Sequence, residues 1–190
     1  AVMFWEYDPP ELTPTQQDEL LGLARTAIAH YLETGQLPDY ESDDPALTRH
    51  SAAFVTLEKA NELRGCIGHV SADTALHQVV QELAVSAATS DPRFPPLTAE
   101  ELDEVNVEIS VLSPMRRLTD TQQIEIGTHG LVILQNGRQG VLLPQVPVDE
   151  GWDREEFLEH LCIKANLAPD CWTDQPTLYS FTAAVFGEKE

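Results

Sequence analysis

Leu63-Arg64-Gly65-Cys66-Ile67-Gly68 is the segment whose residue types and spacing are best suited to chemistry. If it runs extended, side chains alternate between faces, so Arg64, Cys66 and Gly68 share one face while Leu63, Gly65, Ile67 and His69 share the other. A guanidinium beside a thiol favours the thiolate and lowers its pKa from a free value of about 8.5. Gly65 and Gly68 would let a substrate or another backbone approach the sulfur. Those are the requirements of a nucleophilic or ligating cysteine. The same residues also describe a small buried hydrophobe in a strand whose glycines mark bulges.

Other groups could join such a centre. Cys66 and His69 have a C-x-x-H spacing, but on an extended strand their side chains point to opposite faces, and no second pair at ligand spacing lies nearby, so no metal site is expected. Asp91-Pro92-Arg93-Phe94-Pro95-Pro96 is stiffened by three prolines and can present Arg93 to an anion, or it can simply stop a helix with Arg93 paired to Asp91. Glu108 and His129 are the weaker candidates for a proton-transfer role. Cys162 falls on an apolar helical stripe and reads as core, and Cys171 falls in a loop with no base beside it. Three cysteines are an odd, small number, which points to free thiols and a reducing compartment.

The elements that must position these residues follow from local signals. Thr13-Pro14-Thr15-Gln16 carries the marks of a helix start, Leu20, Ala24, Ile28 and Leu32 give its stripe, and Gly35 suits its stop. The acidic stretch Gln36 to Pro45 reads as a surface loop. Ala53 to Leu57 and Leu63 to Val70 form a hairpin across a Glu58 to Glu62 turn, and a helix capped by Ser71 or Asp73 then carries Leu76, Val79, Val80, Leu83 and Ala84. Val105, Val107, Ile109 and Val111 alternate with polar residues as a strand. A second hairpin turns at Asn136-Gly137, a helix starts at Asp153 with Glu156, and one last strand runs from about Leu178 to Phe186. Each half reads strand, strand, helix, strand. The expected fold is therefore α+β with mainly antiparallel sheet and a degenerate internal duplication.

Composition narrows the function classes. The 190 residues hold 32 acidic and 11 basic side chains, a net charge of −21, which opposes generic nucleic-acid or anionic-membrane binding. The longest run free of charge, Gln175 to Gly187, is shorter than the roughly 20 apolar residues of a membrane helix. Glu6, Asp8 and two prolines stand in the first ten residues where a signal peptide would be basic and then apolar, so a cytoplasmic protein is expected.

Taken together, these segments resemble the AMMECR domain family, also called protein A of the AmmeMemoRadiSam system. The resemblance rests on the Cys66 hexapeptide following Phe54-Val55-Thr56-Leu57, on Asp91 to Leu97, and on Glu108-Ile109-Ser110-Val111-Leu112. It extends through His129-Gly130-Leu131, Leu142-Leu143-Pro144-Gln145-Val146, Trp152, Phe157-Leu158 and Cys162-x-Lys164-Ala165, with Asn166 where the family commonly has glycine. It implies one domain over residues 1–190, with an ordered core of about 13–188. That domain would have a larger and a smaller subdomain, with the Cys66 motif near a cleft between them. It also implies the company of Memo-type and radical SAM proteins, and assigns no reaction or cofactor. Two functions stand: a binding or accessory module that uses the cleft, with Arg64 and Arg93, to hold an acidic small molecule or a partner's segment, Gly65 and Gly68 being further ligand-binding candidates, and a thiol enzyme using Cys66 and Arg64 with Glu108 or His129. The first is preferred because no base is pinned beside the cysteine.

Overall fold

The structure is a computed structural model that describes residues 11–188. The chain divides into two compact units, a larger one of residues 11–112 with 184–188 and a smaller one of residues 113–183.

In the larger unit, helix α1 (Pro14–Thr34) opens with the expected capping box, Thr13 and Gln16 each bonding the other's backbone N–H, and closes on Gly35 at φ 72°. After α2 (Pro45–Thr48), strands β1 (Ala53–Lys59) and β2 (Glu62–His69) form an antiparallel hairpin. Its turn is only Ala60-Asn61, both at positive φ, so the strands run further than the Glu58 to Glu62 turn allowed. Helix α3 (Leu76–Thr89) follows, then β3 (Val105–Leu112), antiparallel to β1. Helix α3 starts at Ala75, which has no capping side chain; the carbonyl of Arg49 accepts the Leu76 N–H instead of Ser71 or Asp73 capping the helix. The alternation in β1 and β3 buries Ala53, Val55, Leu57, Val107, Ile109 and Val111 against the apolar stripes of α3 and α1.

The smaller unit contains β4 (Arg116–Leu118), β5 (Gly130–Gln135), β6 (Arg138–Leu142), α4 (Val146–Asp149), α5 (Arg154–Lys164) and β7 (Thr177–Phe181). The β5–β6 turn is the expected Asn136-Gly137, and the Asp153/Glu156 capping box starts α5. Leu131, Ile133, Leu118 and Leu178 pack with Phe157, Leu158 and Leu161 of α5. Two expectations are corrected here. Cys162 and Cys171 are joined in a disulfide that ties α5 to the short turn at Cys171–Asp174, so neither is a free thiol, and the inference to a reducing compartment loses its premise. The last strand is two strands: β7 ends at Phe181, and β8 (Ala183–Gly187) belongs to the other sheet.

The duplication is visible in the topology. The sheets have the orders β2-β1-β3-β8 and β4-β7-β5-β6, which coincide when β1, β2, α3 and β3 are matched to β5, β6, α5 and β7. Leu57 pairs with Gly65 and Val107; Ile133 pairs with Gly140 and Leu178. Both glycines lie under a helix backbone: a Cβ on Gly65 would come 2.2 Å from the Ala87 carbonyl oxygen, and one on Gly140 would come 2.6 Å from that of Leu161. The hairpins differ between these positions by one residue, Arg64, which is left unpaired as a β-bulge.

Candidate functional site

Register decides which side chains meet. Cys66 pairs with Thr56 on β1, and Thr56 pairs with Glu108 on β3, so Cys66, Thr56 and Glu108 form one row across the sheet face opposite α3. The Thr56 hydroxyl donates to the Cys66 sulfur at 3.3 Å. Cys66 is in no disulfide and is half-buried. Glu108 shares its row and face, on the far side of Thr56.

The backbone of Cys66 is clamped from outside the sheet. Strand β2 is an edge, and an edge residue whose N–H and C=O point outward needs partners or water. The Asp91 carboxylate accepts the Cys66 N–H at 2.9 Å, and the Arg93 guanidinium donates to the Cys66 carbonyl at 3.2 Å. Arg93 also donates from its Nε and a terminal nitrogen to the two Asp91 oxygens, at 3.0 and 2.7 Å, and stands over the Phe94 ring at 5.5 Å. The two rigid motifs of the sequence are thus one assembly. Asp91 is 2% exposed in its side chain and Arg93 48%. The Arg93 hydrogen bonds, aided by the Cys66 and Arg93 backbone N–H groups, hold the Asp91 carboxyl well below the usual carboxylate range against the effect of burial. Asp91 in turn raises Arg93, and a charge on Cys66 acts in the same direction.

Arg64 is not the cation of this face. Its bulge breaks the period-two alternation, and its guanidinium donates to both Glu101 oxygens (3.4 and 3.0 Å) and to the Pro95 carbonyl (3.0 Å). Lys59, in register with the core-facing residues of β1, binds the same Glu101 at 3.3 Å. Arg64 therefore reaches toward the helix side of the sheet, and its bonds bring the Glu101 carboxyl down to about 2. The same-face pairing of Arg64 with Cys66 is corrected: the guanidinium bonded to Cys66 is that of Arg93, and it reaches the backbone carbonyl at the strand edge.

The glycines serve the chain's own packing. The space at Gly65 is filled by the Ala87 carbonyl, and that at Gly68 by the Phe54 ring, 2.2 Å from an added Cβ. Cys66 and His69 point to opposite faces, His69 pairing with Ala53, and no group of three or more His, Cys, Asp or Glu side chains suited to a metal occurs among the described residues. His129 belongs to the smaller unit, where its Nδ1 accepts the Glu125 N–H at 3.0 Å.

Sequence reading missed Thr56, Asp91 as the clamp, and Glu101. Thr56 becomes visible only with the hairpin register. Asp91 carried a usable signal, since an Asp two residues before an Arg with proline between them favours an Asx turn; Asp91 does accept the Arg93 N–H at 3.1 Å.

A duplicated ββαβ unit with an exchanged fourth strand and a clamped edge cysteine defines an α+β class of two antiparallel sheets. The AMMECR1 family model matches residues 21–186, and the chain belongs to that family. A Methanopyrus kandleri protein is 44% identical over 95% of this chain and 92% of its own length. An Aeropyrum pernix protein is 44% identical over 96% of this chain and 83% of its own. The crystal structure of an uncharacterized Pyrococcus horikoshii protein is 38% identical, covers 97% of this chain and 95% of that one, and superposes with a TM-score of 0.89. No helix among the described residues is long and apolar enough to cross a membrane.

Proposed function

We propose that this chain is a cytoplasmic binding or accessory protein of the AmmeMemoRadiSam system. It would use the sheet face around Cys66, with Arg93 as its recognition residue, to engage a small ligand or the Memo-type or radical SAM protein of that system. The observation that carries this reading is the Asp91–Arg93 clamp. It fixes the edge strand on both polar groups of Cys66 while leaving half of the Arg93 side chain open to solvent. A guanidinium pre-oriented by a buried carboxylate and stacked on an aromatic ring is a recognition element whose ordering cost is met before binding.

A second reading, a thiol enzyme with Cys66 as nucleophile, is favoured by one observation: the Arg93 guanidinium is held at the Cys66 carbonyl, 3.2 Å away, which brings a cation to the residue that carries the thiol.

Calorimetric titration of the purified Memo-type and radical SAM proteins of the source organism into wild-type, Arg93→Gln and Cys66→Ala protein tests both. The binding reading expects a complex with at least one of them, weakened about tenfold or more by Arg93→Gln and little changed by Cys66→Ala. No complex with either protein at micromolar concentrations removes the partner reading. Trapping of a covalent adduct on Cys66 during turnover by the mixed system would establish the enzyme instead.

A further inference from the structure

Strand β2 is an edge of its sheet, and every second residue of an edge strand turns its N–H and C=O outward. The Leu112 N–H bonds the Ala52 carbonyl, so Phe54 and Thr56, in step with Ala52, turn their polar groups toward β3 and leave those of Ala53 and Val55 for β2. Phe54 pairs with Gly68 and Thr56 with Cys66, so the backbone groups of Cys66 and Gly68 both point away from the sheet. At Cys66 they are taken by the Asp91 carboxylate and the Arg93 guanidinium, which supply the acceptor and donor that a neighbouring strand would. At Gly68, which is half-buried, neither group has a partner among the described residues. One rung of this edge is filled by side chains and the next is open.

An open rung can take one residue of an extended segment, through one donated and one accepted hydrogen bond. The clamp sets the direction and the end of that segment. A chain antiparallel to β2 runs from Gly68 toward Cys66, where Asp91 and Arg93 already fill the next rung, so it has to stop about 3–7 Å beyond the residue paired with Gly68. The group at that end is its α-carboxylate. Arg93 meets it with Nη1: its Nε and Nη2 are committed to Asp91 and the Cys66 carbonyl, whereas Nη1 has no partner among the described residues. A parallel chain would instead bring an α-ammonium to the guanidinium, and Asp91 could not offset that, because its carboxylate already accepts four hydrogen bonds and is 2% exposed. The residue paired with Gly68 lies on the face where the Phe54 ring fills the place of the missing Gly68 side chain, so an apolar side chain there rests on the ring.

We infer that the Gly68 rung and Arg93 form a docking site for the C-terminal segment of a partner protein, held as an antiparallel strand with its α-carboxylate on Arg93 and an apolar penultimate residue on Phe54. This rests on the reading of Arg93 as a recognition residue and names the chemistry that it recognises.

Nuclear magnetic resonance of the ¹⁵N-labelled full chain provides the test. The probe is the peptide acetyl-Lys-Thr-Lys-Val-Thr, with either a free carboxylate or a C-terminal amide, titrated into the millimolar range at constant ionic strength. The free carboxylate form should give a saturable shift of the Gly68 amide, with the Ile67 amide, bonded to β1, moving less. The amide form should bind about tenfold or more weakly, since a charge-assisted bond is lost. Methylating the valine nitrogen of the peptide removes the donor to the Gly68 carbonyl, should weaken binding to a similar degree, and leaves the protein untouched. In Arg93→Gln protein the two peptide ends should bind alike. Equal binding of both ends by wild-type protein, no saturation at Gly68, or a preference for the carboxylate that survives Arg93→Gln would overturn the docking mode. A Gly68 shift that follows protein concentration without peptide would overturn it too, by placing a second copy on this rung. If the peptide results fail while the calorimetric complex forms and needs Arg93, the docking mode falls and the Arg93 reading stands. If they hold and no complex forms, the docking mode stands and those two partners fall.

Discussion

Replacing Asp91 with alanine removes the acceptor of four hydrogen bonds: from the Cys66 N–H, the Arg93 N–H, and the Arg93 Nε and terminal nitrogen. The two guanidinium bonds are the lesser loss, because Arg93 is half exposed and water replaces them. The Cys66 N–H is different. It sits behind a carboxylate that is 2% exposed, and a buried donor left without an acceptor costs about 1–3 kcal/mol. With the remaining bonds the total comes to about 3 kcal/mol. For a chain of this length that is a fall of roughly 6–12 °C in melting temperature. Asp91→Asn keeps an oxygen for the Cys66 amide and should lose about half as much. Urea unfolding gives the stability, and amide hydrogen exchange read at Cys66 gives its location: protection should fall at residues 65–67 of β2 and be retained in β5. If Asp91→Ala stays within about 0.5 kcal/mol of wild type, or if Cys66 exchange is unchanged, the clamp is not what holds this edge.

Gly65→Ala should destabilise by about 1–3 kcal/mol or more, because its Cβ meets the Ala87 backbone, whereas Gly22→Ala, with nothing within 4 Å, should stabilise helix α1 by about 0.5–1 kcal/mol; denaturant midpoints decide both. Glu101 has a folded pKa of about 2 against an ordinary 4.5, so on acidification the unfolded chain takes up its proton first. The stability it adds is complete above about 4.5 and lost as pH falls toward 2, and Glu101→Gln should flatten that part of a stability profile against pH. Cys162→Ala with Cys171→Ala should lower stability by about 2–3 kcal/mol by freeing the loop they close, as measured by urea unfolding; an unchanged midpoint would mean that the loop is held by packing alone.

The sequence was most legible where a local rule acts alone. The capping boxes at Thr13 and Asp153, the Asn136-Gly137 turn and the alternation of Val105 to Val111 depend on neighbouring residues, and each is found as read. Thr182 lies in an unbroken β-forming run, so nothing local marks the point where β7 gives way to β8 in another sheet. β4 has only three residues and owes its existence to β7. The disulfide was hidden by parity, since two of the three cysteines pair and one does not. At the candidate site the period-two rule placed Glu108 and Cys66 correctly by face and failed at Arg64, where one inserted residue changes the alternation. Asn166, which the resemblance to the family marked as a departure, adopts φ 56°, the left-handed conformation that asparagine tolerates.

The exchange of fourth strands has a consequence for the order of folding. The segment after β3 supplies β4 to the second sheet, and the segment after β7 supplies β8 to the first, with Glu188 then bonding Arg25 of α1 at 2.6 Å and the Val107 N–H at 2.9 Å. During synthesis, β1, β2, α3 and β3 emerge long before β8, so the β3 edge stands open while the whole second half is made. An open edge is a template for strand addition by another chain. The larger unit thus begins first and is completed after the smaller one, so shortening the chain by the residues from 183 onward should leave a sheet that recruits the missing strand from a neighbour.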